Sequence, residues 1–488
     1  MEDSWAISDA GPEPGGSDLY LDLHLNARLD PGAPGLRAQL EHALRDAVRT
    51  GRLAALTRLP SSRSLARDLG IARNTVADAY AQLVAEGWLT ARQGAGTRVA
   101  ERIAPDHHAP SSTRVPEARA ESARYDLGPG SPDLSSFPRA AWLSATRRAI
   151  TAAPSDAFGY PDPRGRPELR QAVAQYLARA RGVRASIANV VVCSGYADGL
   201  ALLSTTLRAT GLTTLAVESF GLDVHRRIVE VAGLDTVPLT VDDHGARIDE
   251  LPGGPADAVL LTPAHQFPRG VPLAPGRRSA VIDWARSTGG LVIEDDYDGE
   301  FRYDRQPVGA LQSLDPDRVV YAGTVSKSLA PGVRLGWLVM PSWLAGPVIA
   351  TKSTAQAHSG VIDQLALADL VDSGAYDRHV RRSRLHYRRR RDRLTTALAE
   401  RAPGVRVRGI SAGLHVLVEL DEPEDDVEAR AAPHGLVVRG LDRYRHPAAP
   451  PAAPALVLGY ATPPEHAFAG ALDALSATLA PRRPARRT

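Results

Sequence analysis

The segment GTVSKSLAPGVRLGW, residues 323–337, places a lysine, a threonine and an arginine directly after an apolar run. The chain contains 58 lysines and arginines together, yet only Lys327 and Lys352 are lysines. An arginine stays protonated in a protein, whereas a lysine can lose its proton and form a Schiff base with a carbonyl compound. Lys327 is therefore a candidate nucleophile, and the alternative is that one of two lysines falls here without a function.

The residues around this segment indicate an α/β domain. Six apolar runs, each followed by a helical or loop stretch, occur in the order NVVVCSG, TTLAVES, DAVLLTP, GGLVIEDD, DRVVYAGT and RLGWLVM. Continuous apolar strands predict a mostly parallel sheet covered on both faces, and ligands of such sheets gather at the carboxyl ends of the strands. Lys327, Thr324 and Arg334 follow one such run, so an amine, a hydroxyl and a guanidinium are predicted to hold a phosphorylated aldehyde.

An acidic cluster ends a neighbouring run, where Glu294, Asp295 and Asp296 follow one another. Such a cluster can bind a metal ion, but it contains no histidine, and a plain loop or a single buried acid are the alternatives. An acid at this strand end would keep a pyridine nitrogen protonated, which makes the ring an electron sink. Together these parts describe pyridoxal 5'-phosphate (PLP), and we expect no metal centre.

Length and composition exclude several classes of protein. A chain of 488 residues exceeds the roughly 250–300 residues at which a single core stops growing, so at least two domains are expected. No apolar run approaches the roughly 20 residues that span a bilayer, and the acidic N-terminal segment does not resemble a signal peptide. The single Cys193 excludes an intramolecular disulfide. We expect a cytoplasmic protein with no membrane role.

A domain boundary is predicted at residues 101–124, ERIAPDHHAPSSTRVPEARAESAR, because this stretch is rich in proline, alanine, serine and charge. The boundary leaves a small domain at residues 18–100 and a large domain at residues 125–485. The net charge of +2 gives no reason by itself to expect nucleic acid as a partner.

The small domain has the pattern of a winged helix-turn-helix. An apolar stripe from Leu36 to Val48 predicts one helix, Ser61 or Ser62 can cap a second that ends at Gly70, and a third should end at Gly87. The glycine-containing stretch WLTARQGAGTRVA then predicts a hairpin. The predicted helix-turn-helix is basic, which suits DNA, and the alternative is a three-helix bundle used for dimerisation. Its arginines are Arg58, Arg63, Arg67 and Arg73, against one acid, Asp68.

The stretch LPSSRSLARDLGIARNTVADAYAQLVAEGWLTARQGAGT resembles the signature of GntR-type bacterial regulators. The resemblance implies DNA contacts by the second helix, the start of the recognition helix and the wing turn. The matching residues are Arg63, Arg73, Asn74, Thr75, Gln93, Gly94 and Gly96. Ala77 replaces a basic residue of some relatives, so the base contacts are expected to differ.

The large domain resembles the fold-type I aminotransferases over residues 125–485. FGYPDPRGRPELR, VVCSGYADGL, TPAHQFPRG, VIEDDYDGEFRY and GTVSKSLAPGVRLGW occur in the order of that family. The resemblance implies a Schiff base between PLP and Lys327, a pairing of Asp295 with the pyridine nitrogen, and a hydrogen bond from Tyr297 to the ring hydroxyl. It implies further cofactor contacts from Thr324, Arg334, Gly195, Tyr196, His265 and, reaching from a partner subunit, Tyr160.

Three departures from the aminotransferase pattern concern the stacking on the cofactor ring and the substrate side of this site. Leu222 stands where the family has an aromatic residue that stacks on the cofactor, with Phe220 displaced by two positions. Phe267 replaces a common asparagine. The segment ALVLGYAT lacks the usual carboxylate-binding arginine, and the candidate replacements are Arg439, Arg443 and Arg445.

The fusion of a GntR-like domain to such a domain resembles the MocR/GabR family of transcriptional regulators. This implies a domain-swapped homodimer that binds operator DNA and senses PLP, or an amine or amino acid, through the Schiff base at Lys327. Two alternatives remain open: a working aminotransferase that carries a DNA-binding domain, and a DNA-binding protein whose large domain is a dimerisation scaffold. The nine arginines of DRHVRRSRLHYRRRRDRL, residues 377–394, either extend the DNA-binding surface or form a solvated or inter-subunit face.

Overall fold

The computed structural model describes residues 35–92, 96–101, 124–303 and 308–480. The chain divides into two compact units, residues 1–119 and 120–488. The division falls within the predicted linker, most of which lies outside the described residues, so the linker bounds stay a prediction.

The first unit is the predicted winged helix-turn-helix. Its elements are α1 Leu36–Arg49, α2 Ser62–Asp68, α3 Arg73–Ala85, β1 Leu89–Arg92 and β2 Gly96–Val99. The Ser61 side chain accepts a hydrogen bond from the Ser64 amide at 3.1 Å, which fixes the start of α2 as expected for an N-cap. The two strands pair antiparallel from Leu89 opposite Val99 to Arg92 opposite Gly96, and they form the wing.

One apolar core holds this unit together. Leu40 and Leu65 are 0% exposed, and they pack with Val76 and Leu83 of α3 between the helices. Because side chains from both helices interlock in this core, the packing fixes the angle between α2 and α3.

The second unit contains a large sheet, a smaller sheet and the helices that cover them. Its helices are α4 Arg139–Ala152, α5 Pro167–Arg181, α6 Tyr196–Ala209, α7 Asp223–Val231, α8 Pro275–Thr288, α9 Ser342–Ala355, α10 Val361–Asp372, α11 Ala375–Arg401, α12 Glu424–Ala431 and α13 Glu465–Leu479. Its strands are β3 Tyr125–Asp126, β4 Val190–Cys193, β5 Thr214–Glu218, β6 Asp235–Leu239, β7 Val241–Asp242, β8 Gly245–Ala246, β9 Ala258–Leu261, β10 Leu291–Asp296, β11 Val319–Thr324, β12 Gly336–Val339, β13 Arg406–Arg408, β14 His415–Glu419, β15 Leu436–Val437 and β16 Ala455–Gly459.

The large sheet has seven strands in the order β4-β12-β11-β10-β9-β5-β6. Within the described residues β12 pairs antiparallel with both of its neighbours, and the other six strands run in one direction. All six apolar runs of the sequence form strands of this sheet, so the mostly parallel sheet is confirmed. The seventh strand, β6, was not predicted, because this edge strand is only partly buried and has no continuous apolar run.

The smaller sheet, β13-β14-β16, packs against the C-terminal helices. The long helix α11 contributes Tyr387, Leu394 and Leu398 to this second core, while its first turns contact the core beneath the large sheet. Within the described residues, no helix is both long and apolar enough to cross a membrane.

Candidate functional sites

A cavity of about 320 Å³ opens at the carboxyl ends of β5, β9, β10 and β11. Its wall includes Lys327, Asp295, Tyr297, Thr324 and Arg334, which the sequence analysis placed in one site. Tyr196 also lines the cavity, whereas His265 lies behind it and Tyr160 lies elsewhere on the surface.

Lys327 follows β11 and extends into this cavity, where its Nζ donates a hydrogen bond to the Gly130 carbonyl oxygen. Burial lowers the pKa of Lys327 below its usual 10.5, and the carboxylates of Asp295 and Asp298 oppose this effect. The amine therefore loses its proton more readily than an exposed lysine does, as a nucleophile requires.

The three consecutive acids lie within β10 and not in a loop, and the alternation of a strand separates them. Glu294 accepts hydrogen bonds from the amides of Leu311 (2.8 Å) and Gln312 (2.9 Å). On the same side, Asp296 binds Arg181 at 2.7 Å. Asp295 alone of the three lines the cavity, so it is the acid that can meet a ligand there.

Asp295 is buried, and its Oδ1 atom has no hydrogen-bond partner within the described residues. Burial raises the pKa of Asp295 well above its usual value, although the nearby Tyr196 hydroxyl and Lys327 counteract this. Within the described residues the Tyr196 hydroxyl is also buried; it lies close enough to lower the pKa of Asp295, but the two groups do not reach hydrogen-bond geometry. A buried unpaired carboxylate is costly, and a protonated ring nitrogen would remove that cost.

Tyr297 is held beside the cavity by the segment that contains His265. The Tyr297 hydroxyl donates to the His265 carbonyl oxygen at 3.0 Å and lies 3.3 Å from its Nδ1. His265 Nδ1 also lies 2.8 Å from Asp298 Oδ2. His265 therefore acts from behind Tyr297, and its role as a direct cofactor contact stays a prediction.

His415, at the start of β14, completes a buried cluster with His265 and Asp298. Potential ligand atoms of these three side chains lie within 4.8 Å of one another. Burial and the neighbouring His265 lower the pKa of His415 well below its usual value. The expectation that the chain holds no metal ion stays a prediction.

The opposite end of the cavity has the features of an anion site. Gly195 precedes α6 with φ +96°, and a Cβ built there would lie 3.5 Å from the Arg334 guanidinium. The helix start presents backbone amides beside that guanidinium, an arrangement that suits a phosphate. Thr324 lies on the same wall, where its Oγ1 is 2.9 Å from Ser326 Oγ.

Tyr160, expected to reach a partner subunit, is fully exposed at 104% of its reference area. Phe158 beside it is 50% exposed. These aromatic side chains contribute nothing to their own subunit's cavity.

The wall that faces the expected cofactor ring differs from the aminotransferase pattern. Leu222, Phe220 and His225 all line the cavity, and the His225 ring centroid is 4.8 Å from that of Tyr196. Burial and Lys327 lower the pKa of His225 to about 4, so its ring is neutral near pH 7. His225 was not predicted from the sequence, although its position in the first turn of α7, three residues after Leu222, was a usable signal.

Two further polar residues of the wall were also missed. Burial raises the pKa of Glu218 to about 7, while hydrogen bonds from Thr262 and Gln266 act in the other direction. Arg226 donates to the carbonyl oxygens of Gly221 (3.2 Å) and Arg445 (3.3 Å). Within the described residues Arg226 forms no ion pair, although the carboxylates of Asp223 and Glu230 are near enough to raise its pKa.

The structure does not bring the three predicted carboxylate-binding arginines into this site. Of the arginines in the described ranges, Arg226 and Arg334 line the cavity. Arg445 instead pairs with Asp442 at 2.5 Å, and Arg439 donates to its neighbour's carbonyl. The prediction from the C-terminal segment was wrong, because that segment contributes the carbonyl groups of Tyr444 and Arg445, whereas the guanidinium in the cavity wall is that of Arg226 on α7.

Several of the predicted DNA-binding residues are exposed in the small domain. Arg63 on α2 is exposed, and so are Arg73 and Asn74 in the first turn of α3, whereas Thr75 is partly buried. Gly96 begins β2 with φ +79°, but Gln93 and Gly94 lie outside the described residues. These contacts with DNA stay predictions.

Comparison with protein-family models assigns both parts of the chain. Residues 36–99 match the gntR family of bacterial regulatory proteins, and residues 125–441 match aminotransferase class I and II. The first match implies DNA binding, and domains of the second class depend on PLP in general.

Relatives share both parts over most of their length. The chain is 35% identical to the pyridoxine biosynthesis transcriptional regulator PdxR of Corynebacterium glutamicum, over 85% of this chain and 90% of that protein. It is 32% identical to the probable rhizopine catabolism regulatory protein MocR of Rhizobium meliloti, over 81% and 84%.

Solved structures confirm the fold of the large domain. An archaeal alanine:glyoxylate aminotransferase superposes with a TM-score of 0.66 at 24% identity, covering 72% of this chain and 90% of its own. With a GntR-type winged helix-turn-helix joined to an aminotransferase-like domain, and with relatives that are HTH-type regulators, the chain belongs to the MocR/GabR family of transcriptional regulators.

Proposed function

We propose that this regulator binds PLP covalently at Lys327 and that an amine effector, by competing for the same cofactor, changes how the winged domains bind DNA. The observation that carries the proposal is the cavity that combines Lys327, the unpaired Asp295 and the Arg334–Gly195 anion site. PLP supplies an aldehyde that reacts with amines and a pyridinium ring that withdraws electrons.

Each residue of the cavity has a separate task in holding this group. Asp295 would pair with the protonated pyridine nitrogen, since its Oδ1 has no hydrogen-bond partner within the described residues. Tyr297, whose hydroxyl donates to the His265 carbonyl, would hold the oxygen on the ring. Arg334 and the amides that begin α6 hold the phosphate, with Thr324 beside them.

Lys327 serves as both the attachment point and the group that an effector displaces. Its lowered pKa makes the amine easier to deprotonate than that of an exposed lysine, and the Gly130 carbonyl accepts a hydrogen bond from the free amine. An effector can regulate only if it binds the two conformations of the protein with different affinity. We therefore expect the released Lys327 to stabilise a different arrangement of the cavity from the attached one.

The effector carries a carboxylate as well as an amine, according to the charges that remain after the cofactor is placed. Arg226 lines the cavity, binds backbone carbonyls alone and has no carboxylate partner within the described residues. Burial lowers the pKa of Arg226 even though Asp223 and Glu230 act in the other direction, so an anion that pairs directly with the guanidinium would offset the remaining desolvation cost. Three of its five N–H groups are used, which leaves donors for a ligand.

The working form we propose is a head-to-tail, domain-swapped homodimer in the cytoplasm. The full exposure of Tyr160 supports a site completed by a second subunit, because a large aromatic side chain gains from burial at an interface. Two measurements on wild type and Tyr160→Ser test this point. Sedimentation should show that the variant keeps the dimer, and a titration with PLP should show that it has lost affinity for the cofactor. Unchanged affinity would remove Tyr160 from the site.

Borohydride trapping tests the cofactor proposal directly. The protein is incubated with PLP and reduced, and the modified peptide is identified by mass spectrometry. We expect the label on Lys327 in wild type and no label in Lys327→Ala. Lys352 is an internal control, because it is 1% exposed and its Nζ donates to the Val192 carbonyl. A label on Lys352 alone, or none at all, contradicts the proposal, and sustained transamination in the same preparation would favour the enzyme alternative.

A further inference from the structure

The helix α11 is unusually basic, with ten arginines and three acids in its 27 residues. Some of these arginines have clear structural tasks. Arg390 is 1% exposed, pairs with Asp133 at 3.1 Å and Glu465 at 3.0 Å, and stacks on the Phe468 ring. Arg384 donates to the Glu300 carbonyl at 3.1 Å. These contacts account for the buried side of the helix.

The opposite side carries a set of exposed arginines, which we call the basic stripe. The spacing of three, four and seven residues places them on one face of the helix. Its members are Arg378, Arg381, Arg382, Arg388 and Arg389. Asp392 is the exposed acid on the same face, and Arg393, next to it, pairs with Glu465 at 3.3 Å.

The stripe is not neutralised by the rest of the described chain. Arg381, Arg388 and Arg389 have no hydrogen bond or ion pair within the described ranges, and Arg382 contacts the His379 ring at 3.3 Å. Like charges at these spacings destabilise a helix by a few tenths of a kcal/mol per pair, so folding stability alone does not explain them. An external polyanion would.

The dimensions of the stripe suit duplex DNA. Arg378 and Arg389 are eleven residues apart, about 16 Å along a helix that rises about 1.5 Å per residue. Over that length, duplex DNA presents roughly ten negative charges, at about one per 1.7 Å of its axis. Guanidinium groups bind phosphates with two parallel hydrogen bonds and without regard to base sequence.

We infer that the basic stripe of α11 is a second DNA-binding surface, which holds the phosphate backbone independently of the winged domain. It adds affinity without base specificity, because it has no element that enters a groove. The inference goes beyond the PLP proposal and does not depend on it. Duplex DNA is the polyanion we assign, since the same chain already carries a GntR-type DNA-binding domain.

The test compares two triple variants of the full-length protein that lose the same charge. Arg381→Gln/Arg388→Gln/Arg389→Gln removes the unpaired part of the stripe. Arg139→Gln/Arg208→Gln/Arg406→Gln removes three exposed arginines elsewhere in the large domain. Affinity for a duplex from the gene's own upstream region, and for a mixed-sequence duplex of equal length, is measured by fluorescence anisotropy over a range of NaCl concentrations.

Each phosphate contact contributes about 0.9 to the slope of log K against log salt concentration, so losing three contacts should flatten the slope by about 2.7 on both duplexes. The control variant should change it by less than about 1. A variant with lysine at the same three positions should keep the wild-type slope. Equal slopes for the stripe and control variants overturn the inference.

Sedimentation separates DNA binding from subunit contact, because Leu385, 55% exposed, lies on the same face. The glutamine variant should keep the wild-type oligomeric state and its melting temperature. If it dissociates into smaller species instead, the stripe is a subunit interface and the inference is wrong. If the lysine variant keeps the wild-type salt slope, the charge of the stripe, and not the packing of its arginine side chains, accounts for the DNA affinity.

Discussion

Replacing Arg226 by leucine should remove the preference of the cavity for effectors that carry a carboxylate. The wild-type guanidinium lines the cavity, donates to three backbone carbonyls and has no ion-pair partner within the described ranges. A hydrogen bond to a charged group is worth about 1.5–3 kcal/mol. That range corresponds to a preference of roughly 10- to 150-fold for an amino acid over the matching amine.

The assay uses unbranched ω-amino acids of increasing length and the n-alkylamines of the same chain length. The midpoint of the change in cofactor absorbance gives each apparent affinity, and displacement from DNA gives a second measure that does not depend on the chromophore. Wild type should prefer the acid, and Arg226→Leu should bind both series equally well. Arg227→Leu is the matched control, because Arg227 is exposed, pairs with Asp223 at 3.0 Å and does not line the cavity.

The reasoning is refuted if Arg226→Leu keeps the full preference for carboxylates, or if the control loses it. If wild type does not respond to amines at all, the sensing proposal itself is contradicted. The carboxylate-binding role of Arg226 then fails with it, because no effector binds. Arg226→Lys should retain part of the preference, since a lysine keeps the charge but loses the paired donors.

Three further predictions concern other parts of the molecule. Ser61→Ala should lower the free energy of unfolding of the winged domain by about 1 kcal/mol, because the N-cap of α2 is lost; urea unfolding checks this, and a matched stability would contradict it. The rate of covalent PLP attachment should rise with pH to a midpoint below the usual lysine pKa of 10.5. Asp295→Asn should move that midpoint lower still, because the Asp295 carboxylate raises the pKa of Lys327. A higher midpoint in the variant would refute the assignment. In DNA binding, Arg63→Ala should reduce the salt slope by about 1, whereas Asn74→Ala should relax discrimination among operator sequences; the reverse assignment would show that the roles are exchanged.

The sequence was sufficient where structure depends on local patterns. The capped helix after Ser61 and the six apolar strands are as predicted, because capping and strand burial are set by neighbouring residues. The clustering of Lys327, Asp295 and Thr324 also follows from a general rule, since the carboxyl ends of parallel strands meet at one edge of a sheet.

The sequence was insufficient where long-range contacts decide. His415 reaches the cavity wall from the smaller sheet, and no local pattern marks it. The antiparallel direction of β12 is set by its pairing with β11, the preceding strand, and with β4, which is distant in the chain. Asp295 lies between two other acids of one strand, and the local pattern alone did not show which of the three faces the cavity; the family resemblance identified Asp295.

The measurement that tests the central claim most directly is DNA binding to the gene's own upstream region, titrated with PLP, for wild type, Lys327→Ala and Lys352→Met. PLP should shift the affinity or the footprint of wild type and of the Lys352 variant, provided that variant folds, and should leave Lys327→Ala unaffected. Melting curves establish folding of all three before the titration. If PLP alters binding equally in wild type and Lys327→Ala, or if it alters neither with or without an amino acid present, Lys327 is not the sensor.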